Sequence, residues 1–112
     1  MKTSELQGAG LDWAVAKCEG YNDYRFDGKY GRISTGQHFC PSTDWAQGGP
    51  IIEQEKIDLE CQRDQLWQAT CWDGVNRSTI KIRSGETPLI AAMRCYVASK
   101  LGGEVEIPEE LK

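Results

Sequence analysis

The stretch Thr87 to Gly103, TPLIAAMRCYVASKLGG, constrains the fold more than any other part of the chain. Thr87 is placed to act as N-cap, its hydroxyl accepting from an early backbone N–H. Pro88 suits the first helical position, where its missing N–H has no cost. Gly102 or Gly103 can adopt the left-handed conformation that ends a helix, and Lys100 suits the last turn. Between these ends Leu89, Ile90, Met93, Tyr96, Val97 and Leu101 form one wide bulky face at helical spacing. Ala91, Cys95 and Ala98 form a second face of small residues that lets another element come close. A helix this apolar around its circumference belongs in a core, and its Met and aromatic positions read as packing.

The chain has 112 residues, enough for one domain over 1–112 that buries about two-thirds of its unfolded surface without a metal or disulfide. No hydrophobic run approaches the ~20 residues of a membrane span, and the opening Met-Lys-Thr-Ser-Glu-Leu is not expected to act as a signal peptide. The net charge of −4 argues against a dominant nucleic-acid footprint. Five cysteines form an odd set with no C-x-x-C spacing, and a reduced, cytoplasmic protein with free thiols is expected.

In chain order, Ser4 and Gln7 have capping-box spacing, so a short helical turn is expected there, interrupted by Gly8 and Gly10. Leu11, Ala14, Val15 and Cys18 then share a helical face, with Trp13 and Lys17 on another and Gly20 as the stop. Residues 20–41 form an irregular aromatic, glycine-rich loop or hairpin, with Asp27-Gly28 as its turn signal. In Pro41–Lys56, Thr43 or Asp44 offers a helix N-cap and Trp45 and Ile52 share one side. Gly48-Gly49-Pro50 is expected to break or kink that helix, or to start a second one at Pro50. Three alternating strands follow, turning at Asp64-Gln65 and at Asp73-Gly74-Val75-Asn76. Ile57, Leu59 and Cys61, then Trp67, Ala69 and Cys71, then Ile80 and Ile82 are expected to face the long helix. The opposite face is expected to be polar, with Leu66 and Trp72 as exceptions. Residues 104–112 form a short acidic tail in which Val105 and Ile107 alternate as in a strand. The fold class is therefore α+β: a three-stranded antiparallel meander packed on a long C-terminal helix, with an N-terminal helix and a kinked middle helix.

The blocks TSEL and LDWAVAKCEG, STDWAQGGPIIEQE, and TPLIAAMRCYVASKLGGEVEIPEEL stand in an order that resembles the NinX-like family. These are small proteins of lambdoid phages and enterobacterial prophages, treated as a domain of unknown function. The resemblance implies a phage or prophage source, expression in a bacterial host cytoplasm, and an accessory gene of the early or late-early region. It brings no activity and no catalytic residues.

The residues themselves offer little catalysis. His38 is the single histidine. His38 and Cys40 stand two apart, and Cys18 is a third candidate ligand, but the spacing matches no strong zinc pattern. No glycine-rich phosphate loop is present. The carboxylates Glu53, Glu55, Asp58 and Glu60 read as a solvated face. No cofactor and no metal are expected, and the chain reads as a non-enzyme more readily than as an enzyme. Three function classes stay open. The first is an accessory protein that binds a host or phage macromolecule, in the first instance a protein. Its expected contact surface is Trp45, Gly48, Gly49 and Trp72, because Gly-Gly-Pro gives up helix propensity and Trp72 adds an aromatic on the polar sheet face. The second is a single-stranded nucleic-acid binder using Tyr24, Arg25, Lys29, Tyr30 and Arg32, which interleave rings for stacking with positive charge. The third is a small enzyme with His38 and a carboxylate in one pocket. No membrane contact is expected, and the sequence does not give an oligomeric state.

Overall fold

A computed structural model describes residues 1–73 and 79–111, with the backbone alone at 72, 73, 79 and 80. Its centre is helix α3, Pro88–Leu101. Thr87 caps it, the hydroxyl accepting from the Ile90 N–H at 3.1 Å, and Gly102 ends it at φ +89°. Eight of its residues are buried, from Leu89 to Ala98, and Met93, Cys95 and Val97 are fully so. The expected bulky face frays at its end, where Leu101 runs past its neighbours and is exposed.

One side of α3 lies on an antiparallel sheet of β3 (Asp58–Arg63), β4 (Leu66–Asp73) and β5 (Thr79–Gly85), in that order. The register pairs Leu59 with Ala69 and Cys61 with Trp67, so these residues share the helix-facing side, as the alternation predicts. The expected turn over Asp73-Gly74-Val75-Asn76 falls largely outside the described residues. For β5 the expected facing is reversed. Lys81 pairs with Cys71 and Arg83 with Ala69, which puts Lys81 and Arg83 on the helix side. Ile82 pairs with Thr70 and is 46% exposed. A one-residue change of register exchanges the faces of a strand, and the connection that sets it does not follow from alternation alone. At this edge strand the aliphatic stems of Lys81 and Arg83 can cover the margin of α3 in place of isoleucine. The Cys95 thiol meets the Lys81 carbonyl at 3.0 Å, and Arg83 Nε is buried without a hydrogen-bond partner.

The other sides of α3 are covered by a 3₁₀ turn at Thr3–Glu5, by α1 (Gly8–Cys18) and by α2 (Trp45–Glu55). The short turn ends before Gly8, and Gly8 and Gly10 open α1; Gly10 sits where a β-carbon would lie 3.2 Å from the Leu111 carbonyl oxygen. Past Gly20 the Tyr21 N–H returns to the Ala16 carbonyl at 2.8 Å and the Gly20 N–H to Lys17 at 3.1 Å, a Schellman ending. Trp13 is half-buried against the core, with the Lys17 ammonium 5.3 Å from its ring. The acidic tail folds back: Val105 N–H donates to the Met1 carbonyl at 2.9 Å and Ile107 is buried.

Helix α2 starts at Asp44, whose carboxylate accepts from the Ala46 N–H at 3.0 Å, and runs as one helix across Pro50. Its inward residues are Gly48 and Ile51; of the two residues expected to share one side, Ile52 is partly buried against the core and Trp45 is 54% exposed. No helix among the described residues is long and apolar enough to cross a membrane.

Candidate functional site

The segment expected to be a loop or hairpin is a hairpin of β1 (Arg25–Phe26) and β2 (Gly31–Arg32). Asp27 makes the turn. One oxygen of its carboxylate accepts from the N–H groups of Lys29 at 2.9 Å and Tyr30 at 2.7 Å, which holds the carboxyl below its usual range. Gly28 follows at φ +97°. Tyr24 lies across β2 so closely that a β-carbon at Gly31 would collide with its hydroxyl and ring. Phe39 closes the base of the hairpin, edge-on to Tyr21 and Tyr24. Gln47 of α2 holds the returning chain, accepting from the Cys40 N–H at 2.7 Å and donating to the His38 carbonyl at 2.7 Å.

Concavities flank this hairpin. The larger, about 660 Å³, is lined by Arg25, Phe26, Asp27 and Arg32 among others. Arg25 and Arg32 are direct cross-strand partners, a like-charge pairing that is ordinarily unfavourable. Arg32 is partly neutralised by Asp27 at 3.8 Å and donates to the Gly36 carbonyl, whereas no hydrogen bond or ion pair engages the Arg25 guanidinium among the described residues. The smaller cavity, about 410 Å³, lies between the hairpin and the start of α1, with Asp12, Tyr24, Phe26, Tyr30, His38 and Cys40 in its lining. Tyr30 stacks on His38 with centroids 4.4 Å apart, and the Lys29 ammonium lies 5.3 Å from the Tyr30 ring.

Asp12 is the unexpected member of this wall. It is only 6% exposed, and its Oδ1 accepts the Ser42 N–H at 3.0 Å. Burial raises its carboxyl to about 6, against the contacts with Ser42, which lower it. Burial and the charge of Asp12 push the Tyr24 phenol above its usual range, and burial with Asp12 and Asp44 does the same to the Cys40 thiol. Cys18 is pushed up to about 12, mainly by burial. Neither thiol is therefore a ready thiolate at neutral pH. Cys18 has Glu19, Glu55 and Lys100 as charged neighbours, a different set from those of Cys40. Among the described residues no three His, Cys, Asp or Glu side chains gather to hold a metal. His38 shares the cavity with Asp12, but no hydrogen bond links its ring to that carboxylate.

The five residues of the basic–aromatic set do not share one concavity. Tyr24, Lys29 and Tyr30 line the smaller, Arg25 and Arg32 the larger, and Phe26 reaches both. Of the other expected surface, Trp45 is exposed and Gly49 packs beside its ring. Gly48 is buried: a β-carbon there would run into the Pro41 carbonyl and Leu89. Trp72 pairs with Ile80 in the sheet, and its side chain lies outside the described part of the structure. Asp12 was missed because a lone carboxylate in a helix reads as solvated; its spacing of three and four from Val15 and Ala16, which puts it on their face, was the available signal.

The family model described as Bacteriophage P22, NinX matches residues 2–100, which takes in the hairpin, all three helices save Leu101, and the sheet. The chain belongs to the NinX family of phage proteins. That membership supports a phage accessory protein. No curated protein matches the chain.

Proposed function

We propose that the protein acts in the cytoplasm of the bacterial host as a non-enzymatic accessory factor that binds a host or phage protein through its β1–β2 hairpin. The observation that carries this reading is the concentration of exposed aromatic surface there. Tyr21, Phe26 and Tyr30 are 41%, 38% and 43% exposed within ten residues, beside two concavities. Large rings that are already ordered are favoured anchors at interfaces, since little side-chain entropy remains to be lost. Trp45 is a second anchor, retained from the surface expected around Gly48, Gly49 and Trp72.

The test is capture by the tagged protein from phage-infected cells, repeated with folded Phe26→Ala, Tyr30→Ala and Trp45→Ala variants. A specific partner lost on substitution of Phe26 or Tyr30 supports the hairpin surface. Undiminished capture by every variant overturns it. A second reading, single-stranded nucleic acid, is favoured by the Arg25–Arg32 pair next to exposed Phe26. It requires binding that falls steeply with salt and weakens in Arg25→Gln.

A further inference from the structure

Asp12 is a buried carboxylate that no cation among the described residues pairs with. Burial raises its carboxyl and Ser42 opposes that rise; Lys29, though it lines the same cavity, is directed over the Tyr30 ring. A carboxylate taken out of water without a cation is costly, and side chains in that state are ordinarily paired. Among the described residues Ser42 alone compensates it, its N–H donating at 3.0 Å and its side chain also favouring the charged form, and neither supplies a positive charge.

The walls around it are aromatic. Tyr24, Phe26 and Tyr30 line the cavity with Asp12, and the faces of such rings attract cations. Tyr30 already does so with Lys29 at its margin. Tyr24 is held in place by the bare backbone of Gly31 and by Phe39, so this wall exists before any ligand arrives. At about 410 Å³ the cavity suits one side chain better than an extended polymer.

We infer that this cavity is a receptor for one basic side chain, lysine or arginine, presented by the protein partner, with Asp12 as its counter-ion and the tyrosines and Phe26 as its cage. This inference rests on the hairpin reading above and names the chemistry of the partner at that surface. The ordering of Ser42 by Asp12 is a competing structural role, and Asp12→Asn separates the two, since asparagine keeps an acceptor for the Ser42 N–H but no charge.

The experiment is a titration of the isolated full chain with N-acetyl-lysine methylamide and N-acetyl-arginine methylamide, followed by NMR. The neutral norleucine analogue serves as control. Saturable shifts at Asp12, Tyr24 and Tyr30 are expected with the basic probes, weakened about tenfold or more in folded Asp12→Asn. Gly31→Ala, which displaces Tyr24, is expected to weaken them too. Equal response to the norleucine analogue, equal affinity in Asp12→Asn, or no saturable response overturns the cation site. If partner capture is then still lost in Tyr30→Ala, the hairpin surface stands without it. If the basic probes bind through Asp12 while capture ignores the hairpin variants, the cation site stands and the hairpin surface falls.

Discussion

Arg94, midway along α3, donates its Nε–H to the carbonyl oxygen of Leu6 at 2.7 Å. The same guanidinium reaches the Ser84 carbonyl of β5 at 2.9 Å, so one side chain ties the N-terminal segment, the core helix and the sheet edge together. Leu6 is fully buried, and among the described residues its carbonyl has no other donor. Arg94→Met, which keeps much of the stem, is expected to lower stability by about 1.5–3 kcal/mol, the range for hydrogen bonds to a charged group. Urea unfolding of the two proteins measures it. A variant as stable as the parent shows that water replaces the guanidinium without loss.

Asp12 makes stability depend on pH in a direction opposite to a salt-bridged carboxylate. Its folded value, about 6, lies above the value of about 3.9 for an unfolded chain. Below about pH 4 both states are protonated and the group costs nothing extra. As pH rises from about 4 to about 6 the native state holds the proton longer, so stability falls, and it stays lowered above that window. The fall is on the order of 2–3 kcal/mol for a shift of this size. Asp12→Asn is expected to flatten the profile and to exceed the parent in stability at neutral pH. Unfolding curves from pH 4 to 8 decide it, and parallel profiles count against the buried charge.

Lys56 closes α2 in the left-handed region at φ 54°, with the Ile57 N–H returning to the Ile52 carbonyl at 3.0 Å. This is the position that glycine fills at Gly20. A side chain there costs about 1–2 kcal/mol, part of which glycine's greater freedom in the unfolded chain returns. Lys56→Gly is expected to raise stability by about 0.5–1 kcal/mol. A lower melting temperature for the variant would mean that the Lys56 side chain contributes contacts outweighing its backbone strain.

Gly48 separates packing from recognition. With Pro41 and Leu89 against it, Gly48→Ala is expected to destabilise by about 1–3 kcal/mol, as overpacking does. Gly49 has only the Trp45 ring at 3.9 Å from a built β-carbon, so Gly49→Ala is expected to be tolerated. Calorimetry of both variants checks the contrast; equal melting temperatures would remove the assignment of Gly48 to the core.

The fold was legible where local chemistry and burial agree. Thr87, Pro88 and Gly102 announce the ends of α3, and its apolar girth announces its place. Alternation located β3, β4 and β5 but misjudged β5, because the facing of Ile82 against Arg83 is decided by register across from β4. The hairpin turn at Asp27-Gly28 was readable from its two residues. The cavity beside it was not, since Asp12 and His38 are 26 positions apart and meet only through the fold. Gly48 shows the reverse error: a glycine that weakens a helix suggested an interface, while its cause is the close approach of Pro41.

The placement of α3 has a consequence for synthesis. The residues that bury Leu11, Val15 and Ile51 stand in the final quarter of this sequence, and Val105 meets Met1 only after nearly everything else is made. A chain emerging from the ribosome presents its first two helices and its sheet with no helix to cover them, so little can be banked domain-first during translation. Closure of the core therefore waits until α3 has been made. Until then Leu6, Leu11 and Ile51 are open to holdase chaperones, and the nascent chain is more exposed to capture than the finished protein.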